Sequence, residues 1–357
     1  MKKVILAILL VFFVVSTSHG QYLIGARAAG MGGAGVAASR DLTAAYYNPA
    51  AMMKTGQLGF EASLGAAYSD IAELSNLLNS TSNPAKIITD NFAKKIDIYT
   101  GLGGLLGFSA NKIGITVLPN LQMEVNKEAN ALAAGVGANL NYQGIITLGR
   151  SFQFMGLSSV DLGANIKYLG GNNGSAIVAL VGIDSVGVKT VTNSSGFGLD
   201  VGALMSFDIP AVTSLSVGIV GRDLFETIND KIQTWDLNAS FGAQTFTETQ
   251  RADTTATRAV NSTYAIGASG SIPAVGLLVA ADYEMGKNFS NTHMGMEYPV
   301  IGNFVTLRAG IASGTNLSMT TFGAKLSIPI FAINVAYIMD NKVTKNNQIV
   351  VDLAGGL

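Results

Sequence analysis

The chain has no cysteine, few charged residues, almost no histidine, and no apolar run long enough to cross a bilayer as a helix. Without cysteine there is no disulfide and no site for a lipoprotein anchor, so packing and backbone hydrogen bonds alone must hold the fold. Charged residues make up 13% of the 357, about half the ~25% of an ordinary globular domain. The net charge of −1 gives no electrostatic footprint for nucleic acid. Only His293 follows the first twenty residues, so no two-histidine metal site can form. There is no G-x-S-x-G, H-E-x-x-H or phosphate-binding loop, and neither an enzyme nor a cofactor is expected.

What is present is apolar. Hydrophobic residues reach 48% and the mean hydropathy is +0.37. The longest apolar run, Val4–Val15, follows Lys2 and Lys3 and precedes Ser16-Thr17-Ser18-His19-Gly20. It is too short for a spanning helix, which needs roughly 20 residues, and it has the layout of a secretory signal peptide over 1–20, cut before Gln21. A membrane-like composition without a spanning helix leaves one common solution, in which strands close their hydrogen bonds around a barrel.

Period-two alternation supports this. Phe197, Leu199, Val201, Ala203, Met205 and Phe207 share one face of their segment, against Gly198, Asp200, Gly202 and Ser206, with Leu204 as the exception. Val160, Leu162, Ala164, Ile166 and Tyr168 oppose Asp161, Gly163, Asn165 and Lys167. The polar face is small and glycine-rich, which suits a lumen better than bulk water. Prolines 210, 273, 299 and 329 mark similar turns, since proline lacks the donor a central strand needs. Strands are expected near 57–69, 98–109, 113–125, 131–149, 158–169, 196–207, 213–222, 262–272, 275–285, 291–299, 303–312, 318–328, 331–340 and 348–356. The proline turns then fall on one side. Long loops at 70–97, 170–195 and 223–261 fall on the other, the pattern of an outer-membrane barrel of about fourteen antiparallel strands. Two short helices are expected within 70–97. Segment Trp235–Phe246 reads as a strand but would break the parity, so it is placed in the outer loop.

Between the leader and the first strand, 21–56 is rich in glycine and alanine and does not alternate. Gly30-Met31-Gly32-Gly33-Ala34-Gly35 fits G-x-G-x-x-G formally but lacks the preceding strand of a nucleotide site. Small residues here imply tight packing inside a barrel. This stretch from Gly25, with Asp41 and Tyr46-Tyr47-Asn48-Pro49-Ala50, resembles the opening of the FadL-type superfamily of outer-membrane proteins. Weaker echoes, Val220-Gly221-Arg222-Asp223-Leu224 and Leu307-Arg308-Ala309-Gly310, are most similar to its PorV-like and TraF-like branches. The resemblance implies an all-β barrel, 57–357, of fourteen strands with 21–56 folded inside as a plug or hatch. It implies that Asn48, Pro49 and Ala50 shape the hatch, with Gly30, Gly32, Gly33 and Gly35 packing it.

Inward-facing ionisable residues are expected at Asp161, Lys167, Asp200, Asp282, Glu284, His293, Glu297, Arg308, Lys325 and Asp340. Both signs are balanced, so they read as a network bracing plug and wall rather than an ion-selective ring. His293, on one strand face with Glu297, reads as a lumen hydrogen-bonding residue rather than a base. The expected function is passive uptake of a small hydrophobic molecule, a lipid or hydrocarbon, across the bacterial outer membrane. The expected partners are membrane lipid and, during assembly, the barrel-insertion machinery. The alternative is a docking or scaffold barrel with a secretion-system partner, using loop 223–261 as the contact surface.

Overall fold

The computed structural model describes residues 23–68, 91–154, 158–181, 184–209, 213–240, 245–272, 274–302, 304–315, 317–342 and 347–356. The expected signal peptide and the helices within 70–97 lie largely or wholly outside these residues. The wall is a closed antiparallel barrel of fourteen strands. Its first half is β1 (Leu58–Tyr68), β2 (Ile96–Ala110), β3 (Ile113–Lys127), β4 (Ala133–Phe154), β5 (Ser158–Val181), β6 (Asp184–Ile209) and β7 (Thr213–Ser240). After β8 (Thr245–Gln250) and β9 (Thr254–Ala259) come β10 (Thr263–Ile272), β11 (Leu277–Gly286), β12 (Phe289–Ile301), β13 (Val305–Gly314), β14 (Ser318–Ser327), β15 (Phe331–Asp340) and β16 (Gln348–Gly356). Pairing of β1 with β16 and of β7 with β10 closes the ring. No helix among the described residues is long and apolar enough to cross a membrane.

The alternation read from sequence sorts outside from inside, with the polarity of a soluble protein reversed. On β5, Leu162, Ile166 and Tyr168 are exposed while Asp161, Asn165 and Lys167 are buried. On β13, Leu307 and Ile311 are exposed while Thr306 and Arg308 are buried. Such a surface is stable only against lipid. The sequence exception at Leu204 also finds its reason, which Leu278 shares. Leu204 and Leu278 point inward and are buried because each packs on the plug, Leu204 in a cluster with Leu42, Ala45 and Met52, Leu278 with Met31, Ala34 and Ala38.

Exposed aromatic rings mark the edges of the apolar band. Tyr142, Tyr168 and Phe197 stand side by side on β4, β5 and β6, with centroids 6.2 and 5.3 Å apart. Phe225 on β7 and Tyr264 on β10 continue the row, and Phe60, Phe108, Phe152 and Phe331 are exposed toward the other end. From Tyr142 to Phe152 the strand covers roughly 33 Å at ~3.3 Å per residue, or about 25 Å of height at the usual barrel tilt.

Two expected long loops are in fact strands. Segment 170–195 is a continuation of β5 and β6, paired without a break from Gly170↔Ser195 to Val181↔Asp184. Segment 223–261 is the upper part of β7 with β8 and β9 returning along it and running into β10. Of the segment Trp235–Phe246, the described residues 235–240 end β7 and 245–246 open β8, two strands paired with each other, and they form no additional wall strand. Lengths rise from 22 residues in β4 to 28 in β7, against 10 in β10, so this side projects far above the band. The projection has its own apolar cluster of Ile96, Ile98, Val125, Ala134, Val178 and Leu237. Lys127 clips its base, donating from Nζ to the carbonyls of Phe92, Lys94 and Glu128 at 2.9, 3.0 and 3.0 Å.

The lipid band makes a quantitative prediction. Val335→Arg, placing a guanidinium on the outward face near the middle of β15, should cost about 2–4 kcal/mol in reversible urea unfolding from lipid vesicles. Thr255→Arg, on the exposed β9, should change stability by less than about 0.5 kcal/mol. Equal effects at the two positions would contradict the placement of the band.

Candidate functional site

The N-terminal region fills the lumen as a plug of short helical turns, Ala26–Gly30 and Ala44–Tyr47, and a 3-10 helix, Pro49–Lys54. The Asn-Pro-Ala element forms the start of that last helix. The Asn48 side chain accepts from the Ala50 N–H at 3.0 Å and Pro49 occupies the first helical position, where its missing donor costs nothing. The Asn48 amide also donates to Val36 O at 2.9 Å and to Ala203 O of β6 at 3.2 Å. Asn48 and Ala50 are fully buried.

An irregular backbone inside a closed lumen needs partners for its N–H and C=O groups. The wall supplies them, largely as carboxylates. Asp352 accepts from Ala26 N–H at 2.7 Å, Glu61 from Leu42 N–H at 2.9 Å, and Asp282 from both Gly35 and Val36 N–H at 2.7 and 2.8 Å. Neutral groups serve too. Thr321 accepts from Gly32 N–H at 2.9 Å, Ser269 donates to Ala37 O at 2.9 Å, and Asn165 donates to Ala45 O at 2.7 Å.

Glycine on both surfaces permits this closeness. A β-carbon on Gly310 of the wall would come within 2.2 Å of Gly32 N, and one on Gly163 within 2.3 Å of Ala50 N. Gly30 lies against Gly323, Gly33 against the His293 ring and Gly35 against the Tyr47 ring. Gly32 and Gly33 have φ of 69° and 83°, a region other residues adopt at a cost.

The expected ionisable residues fall into separate clusters rather than one network. In the first, Arg27 of the plug and Arg308 of β13 share Glu297, at 2.9 and 2.7 Å. Arg308 also donates to Asn334 at 2.9 Å, and Asn334 donates to Asp352. In the second, Lys167 meets Asp200 at 2.8 Å, Glu226 at 3.1 Å, and Asp223. In the third, Glu284 pairs with Arg222 and lies 3.7 Å from His293, whose Nδ1 is 2.7 Å from Gly32 O. Asp161 is fully buried and pairs separately with Lys54 of the plug at 2.9 Å. Lys325 makes no ion pair or side-chain hydrogen bond among the described residues. Asp340 accepts from Lys342 N–H at 2.9 Å, near the outer end of β15.

Sequence reading missed Arg27, Glu61, Arg222, Asp223, Glu226, Asn334 and Asp352 as site residues. Glu61 and Asp352 were within reach, because each is a lone acid on the inward parity of an alternating strand. Arg222 and Asp223 sit in a bulge of β7, where Phe197↔Thr227, Leu199↔Leu224 and Val201↔Gly221 show two extra residues. Strict alternation cannot foresee that.

A cavity of about 20 Å³, enough for about one water molecule, is lined by Tyr46, Tyr47, Arg222, Asp282, Glu284 and His293 among others. Among the described residues no three histidine or acidic side chains are grouped to hold a metal ion.

No protein-family model and no curated protein matches the chain. Solved structures do. The toluene transporter TodX of P. putida aligns over 96% of this chain and 99% of its own, with a TM-score of 0.56 and 12% identity. The Ralstonia pickettii toluene transporter TbuX aligns over 94% and 97%, at 0.54 and 12%. A Pseudomonas aeruginosa FadL homologue aligns over 95% and 97%, at 0.57 and 12%. The chain has the FadL-type fold. At such identity the FadL-type likeness extends to architecture, a fourteen-strand wall with an internal plug, and not to any side chain.

Two substitutions test the plug contacts. Arg308→Met leaves Glu297 with a single partner and Asn334 without its donor, and should cost about 1–3 kcal/mol in urea unfolding. Gly310→Val should leave the barrel folded, with its usual shifted mobility in unboiled gels, but exclude the plug from its seat. Its single-channel conductance in planar bilayers should then rise well above wild type. Unchanged conductance would mean that the Gly32–Gly310 approach does not hold the plug.

Proposed function

We propose that this protein is an outer-membrane channel for passive uptake of small hydrophobic compounds. The observation that carries the reading is the combination of a lipid-facing FadL-type barrel with a lumen closed by a plug whose backbone is tied to the wall by polar contacts alongside separate apolar clusters. The polar contacts can exchange with water one by one. Proteins sharing the fold are described as a monoaromatic hydrocarbon channel and as toluene transporters. On this reading the chain resides in the bacterial outer membrane, contacts lipid through its apolar band, and takes a lipid or hydrocarbon as its ligand. The residues proposed to hold the closed state are Asn48, Pro49 and Ala50, glycines 30, 32, 33 and 35, and the ionisable clusters around Arg308, Lys167 and His293. Asp161 braces the plug through Lys54, and Lys325 borders the first cluster.

The test is uptake of radiolabelled toluene, octane and oleate by cells carrying the gene, cells lacking it, and complemented cells. At least one substrate should enter severalfold faster when the protein is present. If all enter equally in all strains, the channel reading fails, and co-purification of a stoichiometric envelope partner would favour the docking role instead.

A further inference from the structure

We infer that His293, with Glu284 and Asp282, forms a protonation-dependent latch that holds plug segment Gly32–Val36 against β11 and β12. The inference rests on the channel reading in one respect only, that release of the plug serves passage. The latch itself follows from hydrogen-bond geometry. The His293 Nδ1 lies 2.7 Å from Gly32 O, and a carbonyl oxygen only accepts, so Nδ1 carries a proton. Across the ring, Nε2 faces Glu284 Oε2 at 3.7 Å. A carboxylate at that distance attracts a positively charged ring and is opposed by a lone pair. Both contacts are favourable together only in the imidazolium form.

Loss of one proton leaves two neutral tautomers, and each fails at one end. With the proton on Nδ1, the Nε2 lone pair faces Glu284. With the proton on Nε2, the Nδ1 lone pair faces Gly32 O. The first keeps the Nδ1–H bond to Gly32 O but without the ring's positive charge, and the second loses it, so the bond from β12 to the plug weakens in both. Among the described residues one other cation, Arg222, lines the same small cavity as the ring, and Tyr46 and Tyr47 of the plug line it too. On β11, Asp282 is the register partner of His293 and Glu284 lies beside it. Arg222 of β7 is engaged by Glu284. On β13 the register partner is Ala312, and the plug presents the uncharged Leu23 and Gly33.

The segment it holds is suited to release. Gly32 and Gly33 both have positive φ, and a β-carbon on Gly33 would come within 2.9 Å of His293 Nδ1, so the ring seats directly on the bend. The next two N–H groups, of Gly35 and Val36, both end on Asp282. His293 and Asp282 thus bind consecutive parts of one glycine-rich turn. The small cavity beside it gives water a point of entry. The latch is closed while His293 is charged and Asp282 ionised. It loosens at high pH as His293 loses its proton, and separately at low pH as Asp282 gains one.

Amide hydrogen exchange of the full chain in lipid nanodiscs tests this, read as protection factors so that the intrinsic pH dependence cancels. Between pH 6 and pH 8.5 the protection of the amides of residues 32–36 should fall about tenfold in wild type, while that of residues 49–54 stays constant. In His293→Gln, whose amide has no titration in this range, protection of 32–36 should be the same at both pH values. In Asp282→Asn, whose amide oxygen accepts without the carboxylate's charge, protection should be lowered at pH 6 and still fall further at pH 8.5. An unchanged wild-type value, or an identical fall in His293→Gln, overturns the latch. Hydrocarbon uptake is scored separately, so a protein that shows the pH-dependent protection but transports nothing would retain the latch and refute the channel.

Discussion

The structure depends on one constraint: a non-repeating backbone enclosed in a barrel must find hydrogen-bond partners that water cannot freely provide. The plug's helices run for 4 to 6 residues, too short to satisfy their own first N–H groups. Glu61, Asp282 and Asp352 answer this from the wall, each accepting from plug N–H groups at 2.7–2.9 Å. Charge-assisted bonds of this kind are stronger than neutral ones, and buried carboxylates without such partners would be costly. The scarcity of charge in the chain therefore understates its importance, because the inward-facing acids are concentrated where the backbone is irregular. Glycine is the other half of the same solution. Gly163 and Gly310 of the wall let Ala50 and Gly32 approach at distances no side chain would allow.

This explains what could be read in advance. Strand positions were legible because the wall largely obeys one rule, apolar outward and small or polar inward; proline was a weaker guide, since Pro329 marks a turn but Pro119 lies within β3 and Pro299, expected in a turn, near the end of β12. The plug was legible as a non-alternating glycine and alanine segment. Its contacts were not. Leu204 and Leu278 broke the alternation because they meet the plug, and only the route of residues 23–54 through the lumen makes that visible. The long hairpins were hidden for a different reason. In Thr192–Gly196 and Thr254–Ala259 side chains on both faces are polar or small, and β9 is exposed along its whole length. Periodicity reports one-sided burial, so it falls silent where pairing alone orders the strand.

The aromatic row on β4 to β7 separates two uses of one strand surface. Below it, outward residues such as Leu162 and Ile166 on β5 are exposed for lipid. Above it, Val178 keeps the same parity on the same strand yet is buried in a cluster with Ala134 and Leu237. Exposed apolar surface is stable in lipid and unstable in water, so the projecting sheet must cover there what it leaves open below. The β7 bulge falls at this transition. Asp223 and Phe225 take φ of 59° and 56°, strained values for side chains of this kind. They bring Arg222 to Glu284 and Asp223 to Lys167, so the strand's change of course and the charge clusters on its inner face arise from the same extra residues.

The distribution of contacts also bears on how a filled barrel could conduct. Were the plug held by apolar packing alone, freeing it would expose that surface to water at roughly 25 cal/mol per Å² with nothing to offset it. Here each released N–H or carboxylate gains water as it loses its partner, and the net loss per neutral bond is only about 0.5–1.5 kcal/mol. The opposite holds for partial release. A carboxylate such as Asp352, separated from Ala26 N–H but still dry, carries its full desolvation cost. Opening is thus favoured only together with entry of water along the same path, and the polar lumen couples hydration to displacement of the plug. A dry apolar ligand arriving from the outer side does not by itself satisfy the wall's carboxylates. Displacement that serves such a ligand must therefore be local, confined to a turn whose partners can change state one at a time. The Gly32–Val36 turn, with two glycines at positive φ and a single titratable ring on its carbonyl, is the part of the plug built to do so.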